Sequence, residues 1–174
     1  MVVVKGSLIR NMLDFVAKKK GVEGLNRAIE KANEREILFT KPEDIKNDGD
    51  YPVKFYLRVL NAAIHVLQDD SLVREMGRYI GENARISFRG ITGRYPPRKS
   101  VQQMVIYSRK YFPVFHTGYR TISEGSYWIK VSKINPKLYP FVDGFLTYLF
   151  EVHGGVVDVK KTMGDNFVKY TLRF

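Results

Sequence analysis

The hydrophobic period of this chain changes once, at Pro113, and that change limits the architectures open to it. Ahead of Pro113, apolar residues recur at three- and four-residue spacing; beyond it they alternate, except in one helical stretch. The first pattern builds amphipathic helices, the second half-buried strands. Helices gathered ahead of a mostly antiparallel sheet define an α+β domain. The expected order is about five helices over 1–112, then strand-strand-helix-strand-strand over 113–174, in a single domain spanning 1–174.

Ser7 is placed to cap a first helix with Leu8, Ile9, Met12, Leu13 and Val16 inward, and Gly21 supplies a left-handed stop after three lysines. Val22, Leu25, Ala28, Ile29 and Ala32 mark a second helix. Thr40 and Glu43 have capping-box spacing for a short turn. Pro52 opens a third helix whose broad face, Tyr56, Leu60, Ala63, Ile64 and Leu67 among it, implies burial on more than one side. Asp69, Asp70 and Ser71 precede a fourth, which turns Leu72, Val73, Met76, Ile80 and Ala84 inward. Inside it, Gly77 and Gly81 each cost roughly 1 kcal/mol against alanine. A backbone packed unusually near, the preceding helix being the obvious one, or room for a ligand would offset that cost.

The segment ITGRYPPRK at 91–99 reads as a loop, and Ser100 with Gln103 as the capping box of a helix carrying Val101, Met104 and Val105 inward. Two strands over 115–123 and 126–134 meet at Glu124-Gly125. Tyr127, Ile129 and Val131 share one face, and Trp128, Lys130 and Ser132 the other. A helix with Pro140 in its first turn buries Phe141, Val142, Phe145, Leu146 and Leu149. A second hairpin follows over 156–162 and 167–173.

The chemistry-bearing residues are sparse. The chain has no cysteine, which removes disulfides and thiolate chemistry together. His65, His116 and His153 stand apart from one another and from carboxylate motifs, and the glycines of 76–81 lie inside a helix, not after a strand as a phosphate loop requires. No enzyme is expected, and no metal site. With neither a leader nor an apolar run of spanning length, a cytoplasmic protein is expected.

The formal charge is +11. Ten basic residues against two acids fall within 74–120, where aromatics are interleaved with them. Nucleic acid is recognised in that vocabulary, so a basic nucleic-acid-binding module is one expectation. Arg85, Arg89, Arg94 and Arg98 are its candidate anion contacts.

KGSLIRNMLDFV at 5–16, MGRYIG at 76–81 and PFVDGFL at 140–146 resemble the superfamily that groups heme-nitric-oxide-binding domains, bacterial 4-vinyl-reductase-like domains and TRAPP vesicle-tethering subunits. A bacterial group known mainly from myxobacteria is similar along nearly the whole chain. The resemblance implies the same α+β fold and a non-catalytic pocket, between helices and sheet, for a small and mostly apolar molecule. It also implies two further alternatives, a dimeric scaffold of the TRAPP kind and a heme-based gas sensor, and either a second copy or a signalling protein as partner. In the heme-binding branch, a histidine on the helix before the sheet ligates iron and a Tyr-x-Ser-x-Arg motif holds the propionates. Here residues 101–112 contain no histidine, and Lys130-Val131-Ser132-Lys133-Ile134 matches the motif only at Ser132. The expectation is therefore no cofactor. Leu60, Ile64, Met76, Gly77, Ile80, Gly81, Met104 and Phe145 are the residues expected to line an apolar pocket.

Overall fold

The computed structural model describes residues 3–84, 96–111, 115–153 and 155–174, with the backbone alone at 84, 111 and 153. Its order is β1 (Val3–Lys5), α1 (Gly6–Asn33), β2 (Asp50–Pro52), α2 (Val53–Leu67), α3 (Asp70–Ala84), α4 (Pro97–Tyr111), β3 (His116–Ser123), β4 (Ser126–Ser132), α5 (Tyr139–His153), β5 (Asp158–Gly164) and β6 (Phe167–Arg173). The α+β class, the helices ahead of the sheet, the single helix between the two hairpins and the four-stranded antiparallel sheet are as the period change predicts; the helices ahead of it number four, because the first two expected ones are merged.

The two N-terminal helices run together as α1, broken at Gly21, whose φ of 69° is the left-handed conformation expected of a helix stop. Val22, expected inward, is exposed just beyond the break, whereas Ala28, Ile29 and Ala32 are buried in the core and Leu25 packs against it. The alternation around residues 3–5 and 50–52 was too short to read. There a two-stranded ribbon, with Val4 opposite Tyr51, ties the start of α1 to the start of α2. At the turn before it, Asp44 and not Glu43 does the capping, accepting from the Thr40 and Lys41 amides and the Thr40 hydroxyl.

Helix α4 begins at Pro97, a turn before the expected capping box. The second proline of the pair occupies the first helical position, where the missing N–H costs nothing and φ is already suitable. Helix α3 is capped by Asp69, whose carboxylate accepts from the Ser71 amide at 2.7 Å and hydroxyl at 2.6 Å. Those two bonds hold the carboxyl below its usual range.

Close approach at the two glycines is made by α5, not by α2. A Cβ on Gly77 would lie 2.0 Å from the Phe141 carbonyl oxygen, and one on Gly81 would lie 2.6 Å from the Tyr148 ring. Reciprocally, a Cβ on Gly144 of α5 would meet the Arg74 carbonyl oxygen at 1.9 Å. Small residues on both helices let the two backbones touch.

The sheet order is β3-β4-β6-β5, antiparallel throughout. Tyr127, Ile129, Val131, Val168, Tyr170 and Leu172 face inward and are buried. Helix α5 covers this face, with Phe150 edge-on to Tyr170 at 5.4 Å between centroids. Asp143, also on α5, accepts from the Tyr170 hydroxyl at 2.8 Å and pairs with Arg74 and Lys161, each at 3.0 Å. One carboxylate thus joins α3, α5, β5 and β6. Burial, followed by that negative charge, pushes the Tyr170 phenol well above its ordinary pKa.

Candidate functional site

Leu60, Met76, Ile80, Met104 and Phe145 are at most 1 % exposed, and Ile64 is half-buried. Residues closed off to that degree border no water-sized space, so a ligand among them would have to part packed side chains. The room beside Gly77 and Gly81 is taken by α5. Arg98 is exposed on the first turn of α4. Arg85, Arg89 and Arg94 lie outside the described residues.

Open space occurs elsewhere. A cleft of about 650 Å³ sits where the end of α4 meets the β3–β4 hairpin, on the sheet face turned away from α5. Strand parity places its residues: His116 lies opposite Ser132 and Gly118 opposite Lys130, with Trp128 two residues along from Lys130. A Cβ on Gly118 would meet nothing within 4 Å, so this glycine leaves the floor open. Phe115 and Arg109 close one end. The Arg109 Nε donates to the Thr117 carbonyl oxygen at 2.9 Å, which fixes the guanidinium against the outer edge of β3. The Thr117 hydroxyl is buried with no hydrogen-bond partner among the described residues. Lys130 extends its ammonium over the Phe167 ring, 4.2 Å from the centroid. No carboxylate is among the described lining residues.

One imidazole, two cations, a hydroxyl and aromatic walls therefore converge on one cleft. Strand alternation puts Lys130 and Ser132 on a common face, but nothing in the sequence pattern brings Arg109 or His116 beside them. The signal was Gly118, an interior strand glycine, which marks close approach or open space.

A smaller cleft of about 230 Å³ brings His65 beside Arg27, Glu30, Lys31 and Glu34. Its charges are already matched: Lys31 donates to Glu34 at 2.6 Å and holds that carboxyl below its usual range. Among the described residues no group of three or more histidines and carboxylates could hold a metal ion, and no helix is long and apolar enough to cross a membrane.

No family model matches the sequence, and no curated protein does. Solved structures do match in three dimensions. The chain is similar to the Fe(II) unliganded H-NOX protein from K. algicida, at 16 % identity and a TM-score of 0.68, covering 98 % of this chain and 96 % of that one. It is similar to an oxygen-binding H-NOX domain related to soluble guanylate cyclases, in its oxygen complex, at 12 % identity and 0.63, covering 98 % and 95 %. A third match, described as modulating heme redox potential through protein-induced porphyrin distortion, has 12 % identity and 0.64, covering 98 % and 100 %. The fold is that of H-NOX domains.

These neighbours overturn the expectation of no cofactor: they are heme proteins, and heme is the group they point to. Two places in this chain can be tested for it. The inward face of α4 offers Val101, Met104, Val105 and Ser108 and no imidazole, and all four are buried. The outer cleft fits better. It has the volume, a nitrogen donor in His116, a cation for each of two carboxylates in Arg109 and Lys130, and aromatic walls for a planar ring.

Proposed function

We propose that this chain is a non-catalytic, heme-dependent sensor domain that holds its cofactor in the cleft between the end of α4 and the β3–β4 hairpin. The single observation that carries the reading is the convergence of His116, Arg109 and Lys130 on one open cleft, in a chain sharing the H-NOX fold over 98 % of its length. The heme-based gas sensor, held as an alternative on sequence grounds, thereby becomes the leading reading.

Each residue has a distinct part. His116 is the one described histidine at the cleft, and its imidazole would supply the nitrogen donor to the iron. Arg109 is pre-placed by its bond to Thr117, so little side-chain freedom remains to be lost when it meets a carboxylate. Lys130 lies over Phe167 with no carboxylate partner among the described residues, and can turn to a second anion. Trp128 and Phe115 supply apolar wall and keep water from one side of the ring. The heme would supply an iron atom with a position open to a small gas. Helix α4 and strand β3, joined by the Arg109–Thr117 bond, would hold it.

Hemin titration of the purified protein tests this. The expected result is a Soret band that saturates at one heme per chain and that shifts or vanishes in His116→Ala. A titration without saturation, or a spectrum unchanged by His116→Ala, overturns the assignment.

A further inference from the structure

The cleft is one corner of a larger surface. The face of the sheet turned away from α5 carries no covering element among the described residues, and none of its side chains is buried. Register sets them in rows across the four strands. One row runs Arg120, Trp128, Thr171, Lys160. The next runs Gly118, Lys130, Lys169, Thr162, and a third His116, Ser132, Phe167, Gly164. Arg173 and Asp158 end the sheet beside Ser126. Five cations share this face with one carboxylate, and no ion pair joins any of the five to an acid among the described residues.

That distribution is costly for a sheet left to itself. Lys130 and Lys169 are directly opposite on the two central strands, where like charges destabilise the pairing. Trp128 and Phe167 stand half-exposed on either side of them. Cations spaced along strands repel one another unless an anion with a similar repeat lies across them, and flat aromatic side chains between them suit flat partners. A folded acidic protein surface and an anionic membrane both match the charge, but neither offers flat rings to stack on aromatics set among the cations.

We propose that this open sheet face binds single-stranded nucleic acid, with bases stacked on Trp128 and Phe167 and phosphates neutralised by Lys130, Lys169, Arg120 and Lys160. The proposed contacts include none of the arginines singled out in the sequence and do not depend on heme. Trp128 and Lys130 also border the cleft, so the test uses protein free of hemin; Lys169, Phe167 and Lys160 are not among its described lining residues.

Fluorescence anisotropy with a labelled mixed-sequence single-stranded 20-mer tests the proposal. Four neutralised phosphates predict about a fifty-fold loss of affinity between roughly 50 and 200 mM salt, falling to about sevenfold in Lys130→Ala/Lys169→Ala. Trp128→Ala is expected to weaken binding by about tenfold through lost stacking. Lys20→Ala/Lys54→Ala, which removes the same charge from helices on other surfaces, is expected to bind as the parent does. The proposal is overturned by equal weakening in both lysine pairs, which would report net charge alone, or by tighter binding to a blunt duplex of the same sequence. It is equally overturned by retention on phosphatidylserine vesicles without oligonucleotide binding. A chain that fails to bind hemin but passes this test loses only the sensor reading.

Discussion

Gly77 on α3 faces the carbonyl oxygen of Phe141 on α5, with no room for even a methyl group between them. Gly77→Ala gains helix propensity of roughly 1 kcal/mol but drives a carbon into a backbone atom that cannot rotate away, at a cost of about 1–3 kcal/mol or more. Net destabilisation is expected for Gly77→Ala and for Gly144→Ala, whose methyl would meet the Arg74 carbonyl. Gly81→Ala meets the Tyr148 ring, a side chain that can give, and should lose less. Urea unfolding of the three variants checks the order.

Between Phe141 and Gly144 on α5, Asp143 is the carboxylate on which Tyr170, Arg74 and Lys161 converge. Tyr170→Phe removes a donor from a buried acceptor that keeps two cations, and should cost about 1 kcal/mol. Asp143→Ala strands the Tyr170 hydroxyl inside and should cost about 2 kcal/mol, while both cations return to water. If the two single losses add in the double variant, the Asp143–Tyr170 bond contributes nothing; a double-mutant cycle in chemical denaturation measures the coupling.

Burial pushes the phenols of Tyr56 and Tyr170 well above the ordinary tyrosine value. The unfolded chain then releases these protons near pH 10 while the folded chain keeps them, so stability is intact below about pH 10 and declines as the pH rises further. At the acid end the carboxyls of Asp44 and Asp69 are held low by hydrogen bonds, from Thr40 and Ser71 respectively. Their contribution is present above the usual carboxylate range and is lost as pH falls through it. A stability profile against pH should therefore decline at both ends. Tyrosine absorbance should show two phenols that titrate only with unfolding.

Gly118 offers a way to separate the cleft from the fold. Its strand conformation accepts a side chain and nothing stands within 4 Å of a Cβ, so Gly118→Val should leave stability equal or higher. The added isopropyl group would fill the floor of the cleft. Hemin affinity is expected to fall tenfold or more with an unchanged melting temperature, measured by titration alongside thermal unfolding.

Much of the architecture was legible because long periodic segments report their own burial. The stripe Leu60 to Leu67 in α2 and the alternation of Tyr127, Ile129 and Val131 in β4 are both realised. Tertiary pairing was less legible. Gly77 and Gly81 announced a close neighbour, yet spacing along one helix carries no information on which helix that is, and chain adjacency suggested α2 where α5 stands. Strand β1 was missed because three residues hold too little pattern. The cleft draws on α4, β3 and β4 together, and Arg109 enters it only through a bond to a backbone carbonyl that no sequence displays. Its heme assignment rests on fold likeness and donor chemistry, not on a motif.

Strand β6 lies between β4 and β5, and so is flanked by strands translated before it. A ribosome that has delivered everything through residue 166 has made one ribbon, β3–β4, and a lone strand β5, without the strand that joins them. Whatever this face recognises becomes continuous only when β6 joins, so products that stop before residue 167 should carry the helices and the β3–β4 hairpin without the complete recognition surface.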